Sequence, residues 1–225
     1  MNLTNENIRP ITFLSSSFSF LQKSALGHGG CIWDGALVLI KYFEKNFTSL
    51  SKKYSFQDKH ILELGSGTGI CGICFSCFSP KMVCLTDLKE LHSLMRENIK
   101  INEFSIKSCE IIVEELIWGK GYQEQLENIW SKTTKGFDFL IGSDLIDSSG
   151  KFLTDLLETL LFCFEKNEDL VMFHCYTMHK KSTVDRFLEM LKENQLIIEE
   201  IEAKDMDEEF NSEDINIIII KKKKF

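Results

Sequence analysis

Proline and arginine are the conspicuous shortages. Pro10 and Pro80 are the two prolines in 225 residues, which excludes a Pro-rich linker dividing the chain. Three of the 26 basic residues are arginine and the formal net charge is −8, so the basic field that general nucleic-acid binding requires is missing. Long apolar runs are missing too: no stretch reaches the ~18 residues of a membrane-spanning helix. The opening Met1–Pro10 is polar and carries no secretory h-region. These absences lead us to expect a monomer without nucleic-acid or membrane partners, placed in the cytoplasm or also the nucleus.

What is present is globular. Hydrophobic residues at 44% and charged residues at 27% exclude a disordered or fibrous chain. The length allows one large domain or two small ones. Most of the eight cysteines lie inside apolar runs, which suits a reduced core better than a disulfide scaffold. Cys71-x-x-Cys74-x-x-Cys77 falls on one narrow helix face without a second set of ligands at matching spacing, so no metal is expected.

Short β-rich runs alternate with longer amphipathic ones, the pattern of a mostly parallel sheet covered by helices on both faces. Ile8–Leu21 alternates partially and reads as a hairpin-like lid or edge, before Gly27-His28-Gly29-Gly30 breaks the chain. A helix over Trp33–Phe47 precedes strands at His60–Leu64, Met82–Thr86, Cys109–Val113, Phe137–Gly142 and Leu170–Cys175. Helices are expected between them, at Ile70–Phe78, Leu88–Asn102, Gln123–Trp130 and Phe152–Glu165, and after the fifth strand at Thr183–Glu193. Leu196–Glu202 and Ile215–Ile220 are joined by an acidic loop too short in helical pattern for a crossover, so these last two strands should pair antiparallel. The fold class expected is α/β: a Rossmann-like, doubly wound, seven-stranded sheet, mostly parallel, with an antiparallel C-terminal hairpin. Residues 1–31 form an N-terminal extension and 32–225 the main domain.

The most informative segment is Ile61-Leu62-Glu63-Leu64-Gly65-Ser66-Gly67-Thr68-Gly69. A strand running through glycines into a helix brings bare backbone close to a ligand. Gly67-Thr68-Gly69-Ile70-Cys71-Gly72 matches the dinucleotide pattern GxGxxG, with Asp87 at about the expected distance. Glu63-x-Gly65-x-Gly67-x-Gly69 matches instead the loop that binds S-adenosylmethionine. Register separates them: in a dinucleotide site the first glycine follows the strand directly, and here Gly65 does so while Gly67 comes two residues later. A carboxylate at Glu63 also suits a cationic cofactor better than a pyrophosphate. Asp87, closing the second strand, is the expected acceptor for ribose hydroxyls, or else a cap for the next helix.

Together with Ile32-Trp33-Asp34-Gly35-Ala36, Glu115-Leu116-Ile117-Trp118-Gly119 and Phe137–Asp144, this loop gives a sequence that resembles the seven-strand (class I) protein-lysine methyltransferases of lysine methyltransferase family 16. The resemblance covers roughly residues 10–220 and implies S-adenosyl-L-methionine as cofactor. It implies that Trp33 approaches the cofactor and that Gly65, Ser66 and Gly67 line its amino-acid and ribose portions. Asp87 takes the ribose, Trp118 the adenine, and Ser143 lies under the methionine part. Asp144 opens the family's Asp-x-x-Tyr/Phe motif, and Asp147 stands where the aromatic is expected.

The reaction implied is direct in-line transfer of a methyl group to a protein side-chain nitrogen, lysine first, with Asp144 holding the amine. The −8 surface would recruit a basic, lysine-containing protein segment. Two other readings stay open: a cofactor-binding pseudo-enzyme acting through protein contacts, motivated by Asp147, and transfer to histidine, arginine or a small amine. His174 and Cys175, near the same strand ends, are left out of the site. Lys221–Lys224 reads as a solvated end.

Overall fold

The computed structural model describes residues 7–106 and 109–224. Residues 1–6 of the expected extension lie outside the described residues. Strands β1 (Ile8–Phe13) and β2 (Ser16–Leu21) make an antiparallel hairpin that is a sheet of its own, not an edge of the main one. The main sheet comprises β3 (His60–Leu64), β4 (Met82–Asp87), β5 (Glu110–Glu115), β6 (Phe139–Ser143), β7 (Val171–Thr177), β8 (Leu196–Glu200) and β9 (Ile215–Lys222). Their order is β5-β4-β3-β6-β7-β9-β8. The first five in chain order are parallel, and β9 is wedged antiparallel between β7 and β8. Every residue of β3 is buried, as expected for a central strand covered on both faces.

The long helix expected over Trp33–Phe47 is broken at Asn46 into α1 (Asp34–Lys45) and α2 (Phe47–Tyr54). The remaining helices are α3 (Ile70–Phe75), α4 (His92–Ile101), α5 (Gln123–Ser131), α6 (Leu153–Lys166) and α7 (Lys181–Glu193). On one face of the sheet, Phe43 of α1 packs edge-on against Phe75 of α3 at 4.4 Å and Phe173 of β7 at 4.9 Å between ring centroids. Cys71, Cys74 and Cys77 are buried, unbridged and part of the same apolar layer. The terminal lysines are not simply solvated: Lys221, Lys222 and Lys224 pair with Glu199, Glu168 and Asp169.

Two asparagines, Asn98 on α4 and Asn102 capping its C-terminal end, attach the hairpin. The Asn98 amide accepts from Leu21 N (2.7 Å) and donates to Leu21 O (3.0 Å); Asn102 does the same with Ser19 N (2.8 Å) and Ser19 O (2.9 Å). Residues 19 and 21 share one edge of β2, so the two amides mimic a neighbouring strand. Asn98 Nδ2 also donates to Thr68 O at 2.9 Å, which ties the hairpin to the glycine loop.

Candidate active site

From the centre of the sheet, β3 leads outward to β4 and β6 outward to β7, so a crevice opens where their carboxyl ends diverge. Open α/β sheets bind ligands at such a switch point. The glycine loop fills it. Gly65, Gly67 and Gly69 have φ of +59°, +54° and +80°, a region costly for side chains. The loop is stitched to β4: Ser66 N donates to Thr86 O (2.9 Å), Thr86 N to Ser66 Oγ (3.0 Å), and Gly67 N to Asp87 Oδ2 (2.7 Å). Leu88 N donates to the other Asp87 oxygen at 2.7 Å. Burial pushes the Asp87 carboxyl above its ordinary value, while these two N–H groups pull it back. The Gly67 N–H that a pyrophosphate would seek is therefore occupied by a carboxylate, and the dinucleotide register loses its physical basis.

A cavity of about 670 Å³ lies above the loop, a size typical of small-molecule sites. Trp33, Gly65, Ser66, Gly67, Asp87, Trp118, Ser143 and Asp144 all line it. Glu63 does not. Its buried carboxyl turns under the loop and accepts from Gly72 N at 3.0 Å, and burial raises its pKa to about 8, offset in part by that N–H and Ser66. The expectation that Glu63 faces a cationic cofactor is thus corrected: the sheet pleat directs it toward α3, where it braces the loop.

Asp144 lies just past β6 with φ +51°. Its Oδ1 accepts from both Thr177 N and Thr177 Oγ1 at 2.8 Å, and Oδ2 accepts from Gly35 N at 3.1 Å. The carboxylate thereby joins the ends of β6 and β7 to the first turn of α1. It does not cap a helix after β6, because α6 starts only at Leu153. Asp147 points to solvent in a turn, accepting from Ser149 Oγ (2.8 Å) and Gly150 N (2.7 Å). Those bonds hold its pKa below the ordinary value, with the serine hydroxyl the largest contribution. His174 is buried against Tyr176 and Phe187, away from the cavity wall.

Trp33 donates Nε1 to His28 O at 2.9 Å, and its ring lies 5.5 Å from His28 and 6.3 Å from His179. The Trp118 ring faces Gly65 so closely that a Cβ there would meet its Cζ2 at 3.3 Å. The structure adds Leu88, Tyr122, Phe152 and Asp155 to the wall, and Gly35 and Thr177 behind Asp144. No spacing rule points to the four wall residues; Leu88, Tyr122 and Phe152 flank helices and Asp155 lies in the first turn of α6, elements whose placement depends on distant contacts. Gly35 sat within a quoted motif, but its partner lies 109 positions away.

Two features of the wall stand out. Among the described residues, the charged side chains lining the cavity are Asp87, Glu90, Asp144 and Asp155, with no lysine or arginine. The exposed large apolar residues Trp33, Leu88, Tyr122 and Phe152 also gather on this wall. Such a surface receives a cation with an apolar or aromatic body and repels a phosphate.

The profile of the lysine methyltransferase family matches residues 14–194. The chain belongs to the lysine methyltransferase family. It is 28% identical over 166 residues to the protein-lysine methyltransferase METTL21E of Mus musculus, covering 72% of this chain and 63% of that protein. To the protein N-lysine methyltransferase METTL21A of Mus musculus it is 30% identical over 168 residues, covering 74% and 68%. The chain spans 52–63% of the length of the bovine and mouse METTL21E proteins. Its fold is similar to that of SMU.776 complexed with SAH, with a TM-score of 0.58 at 13% identity over 98% of this chain and 57% of that one. A precorrin 8W decarboxylase from Methanobacterium thermoautotrophicum gives 0.54 at 14% identity, covering 90% and 96%. These likenesses place the class I methyltransferase fold, to which the family member described here conforms in strand order and antiparallel β9.

Proposed function

We propose that the protein is an S-adenosylmethionine-dependent methyltransferase acting on a side-chain nitrogen of a protein, most readily lysine. The observation that carries this reading is the cavity at the switch point, lined by carboxylates and indoles with no lysine or arginine among the described residues. The names borne by the METTL21 relatives support the acceptor class. Bare backbone at Gly65 and Gly67 lets a ligand approach closely, and each position excludes a side chain. Trp33, Gly65, Ser66, Gly67, Asp87, Trp118 and Ser143 are the residues assigned to hold the cofactor. Bound S-adenosylmethionine supplies a methyl group on a sulfonium centre.

The chain's own task is positioning. A lysine amine with an ordinary pKa of about 10.4 needs ~4–5 kcal/mol to lose its proton at pH 7. A nearby sulfonium charge and desolvation lower that requirement. Asp144 uses three acceptor positions internally, leaving capacity on Oδ2 for one N–H from the acceptor amine. It thus orients the amine rather than removing its proton, and alignment supplies the rate enhancement. The −8 charge favours a basic segment as substrate. We place the reaction in the cytoplasm or nucleus, on the cysteine usage argued above.

The test is calorimetric titration with S-adenosylhomocysteine, followed by incubation with methyl-labelled S-adenosylmethionine and cell lysate. Label mapped to lysine supports the reading; label confined to small molecules refutes the acceptor class. Tight cofactor binding without transfer to any fraction favours a pseudo-enzyme.

A further inference from the structure

The cavity's carboxylates are not equivalent. Asp87 accepts from Gly67 N and Leu88 N, and Asp144 accepts from three donors. Glu90 is exposed. Asp155, half-buried in the first turn of α6, has no side-chain hydrogen bond or ion pair among the described residues. Its neighbours on the next turn are both engaged: Glu158 Oε2 accepts from Lys120 N at 2.6 Å, and Thr159 Oγ1 accepts from Gly119 N at 3.0 Å. The turn after Trp118 is therefore bound to α6 by Glu158 and Thr159, while Asp155 faces the cavity.

Asp155 packs against Gly119. Gly119 has φ +113°, and a Cβ there would meet Asp155 Oδ1 at 2.9 Å and Cγ at 3.3 Å. The carboxylate thus lies flush against the backbone immediately following Trp118. That end of the cavity presents Leu88, Leu116, Ile117 and Trp118 as apolar wall, with Asp155 as an unfilled acceptor beside it. The helix dipole favours an acidic residue in a first helical turn, which accounts for its presence on α6 but not for its facing a cavity. A partly dehydrated acceptor without a protein partner is complementary to a donor on the ligand.

We propose that Asp155 recognises the exocyclic amino group of the cofactor's adenine, which makes it a specificity-determining residue for the base. The assignment rests on the cofactor reading above and on Trp118 marking the adenine end. An adenine amine donates to a carboxylate; hypoxanthine, with a carbonyl at the same position, presents a second acceptor and is repelled.

The experiment titrates the full chain with S-adenosylhomocysteine and with S-inosylhomocysteine, its hypoxanthine counterpart. The unsubstituted protein should prefer the adenosyl compound by about tenfold to a hundredfold, the range of a charge-assisted hydrogen bond. Asp155→Asn should bring the two compounds to nearly equal affinity, since an amide accepts from one base and donates to the other. Asp155→Ala should weaken the adenosyl compound about tenfold and leave the inosyl compound unchanged or improved. Melting temperatures of both variants serve as the folding check. An unchanged preference in both variants overturns the role of Asp155 and leaves the cofactor reading standing. Failure of the unsubstituted protein to bind S-adenosylhomocysteine overturns that reading, and this assignment with it.

Discussion

The carboxylate of Asp144 occupies the space in which residue 35 would carry its side chain. A Cβ built on Gly35 comes 2.7 Å from Asp144 Cγ and 2.9 Å from Oδ1, while the Gly35 N–H donates to Oδ2 at 3.1 Å. The glycine therefore serves two purposes, supplying a donor and leaving room for its acceptor.

Gly35→Ala should separate stability from activity. Alanine favours a helix over glycine by ~1 kcal/mol, which offsets part of the displacement of Asp144. We expect a small change in melting temperature, unchanged affinity for S-adenosylhomocysteine, and methyl transfer reduced by tenfold or more. Full transfer by this variant would remove Asp144 from the reaction.

Thr177 tests the same carboxylate from the other side. Thr177→Val removes the Oγ1 donor and keeps the backbone one, so Asp144 loses one of its three donors and is held less firmly. The expected result is kcat lower by about tenfold, equivalent to ~1.4 kcal/mol, with little change in cofactor affinity. Thr177→Ser retains a hydroxyl and should restore most of the rate. Full rate in Thr177→Val with a loss in Thr177→Ser would argue that the methyl group, not the hydroxyl, matters.

Stability should depend on pH through Glu63. Its folded pKa of about 8 lies above the ordinary 4.5, so the folded state holds an extra proton between those values. Stability from this group is then lost as pH rises from ~4.5 through ~8, by up to a few kcal/mol. His174 acts oppositely: burial lowers its pKa to about 3, so stability rises with pH from ~3 to ~6.5. The Glu63 slope should stand clear between pH 6.5 and 8. Glu63→Gln, which keeps an acceptor for Gly72 N, should flatten it in denaturant titrations; an unchanged slope assigns it elsewhere.

Asn98→Ala should unfasten the hairpin and disturb the loop together. It leaves Leu21 N, Leu21 O and Thr68 O without their buried partner, a loss of ~2–4 kcal/mol or roughly 5–12 °C in melting temperature. Asn102→Ala touches Ser19 and its own helix but not the loop, so only the Asn98 variant should also weaken S-adenosylhomocysteine binding. Equal effects on binding from the two would break the proposed link through Thr68.

Phe152, not Asp147, brings an aromatic ring to the cavity wall. Asp147 faces solvent, whereas Phe152, five residues on, lines the cavity while 48% exposed. Its ring already accepts an ammonium, with Lys151 Nζ 5.0 Å from the centroid. Phe152→Ala should raise KM for a lysine-containing peptide several-fold, and Asp147→Ala should leave it unchanged. The reverse pattern would place the acceptor wall at Asp147.

The sequence alone determined the elements and the loop. Strand β3, the glycines at 65, 67 and 69, and Asp87 at the end of β4 follow from periodicity and turn chemistry confined to a few neighbouring residues. The antiparallel ending was legible because Ala203–Asp214 lacks a crossover helix, but the insertion of β9 between β7 and β8 was not, since pairing partners are chosen across the sheet. Tertiary structure decided what each carboxylate does. Glu63, Asp87, Asp144 and Asp155 look alike in one dimension, yet Gly72 N withdraws the first under the loop and Gly67 N pins the second. Gly35 and Thr177 fix the third, and the fourth is left without a partner in the cavity. A carboxylate's role depends on which N–H groups reach it, and the donors that distinguish these four come mostly from segments the chain brings together only by folding.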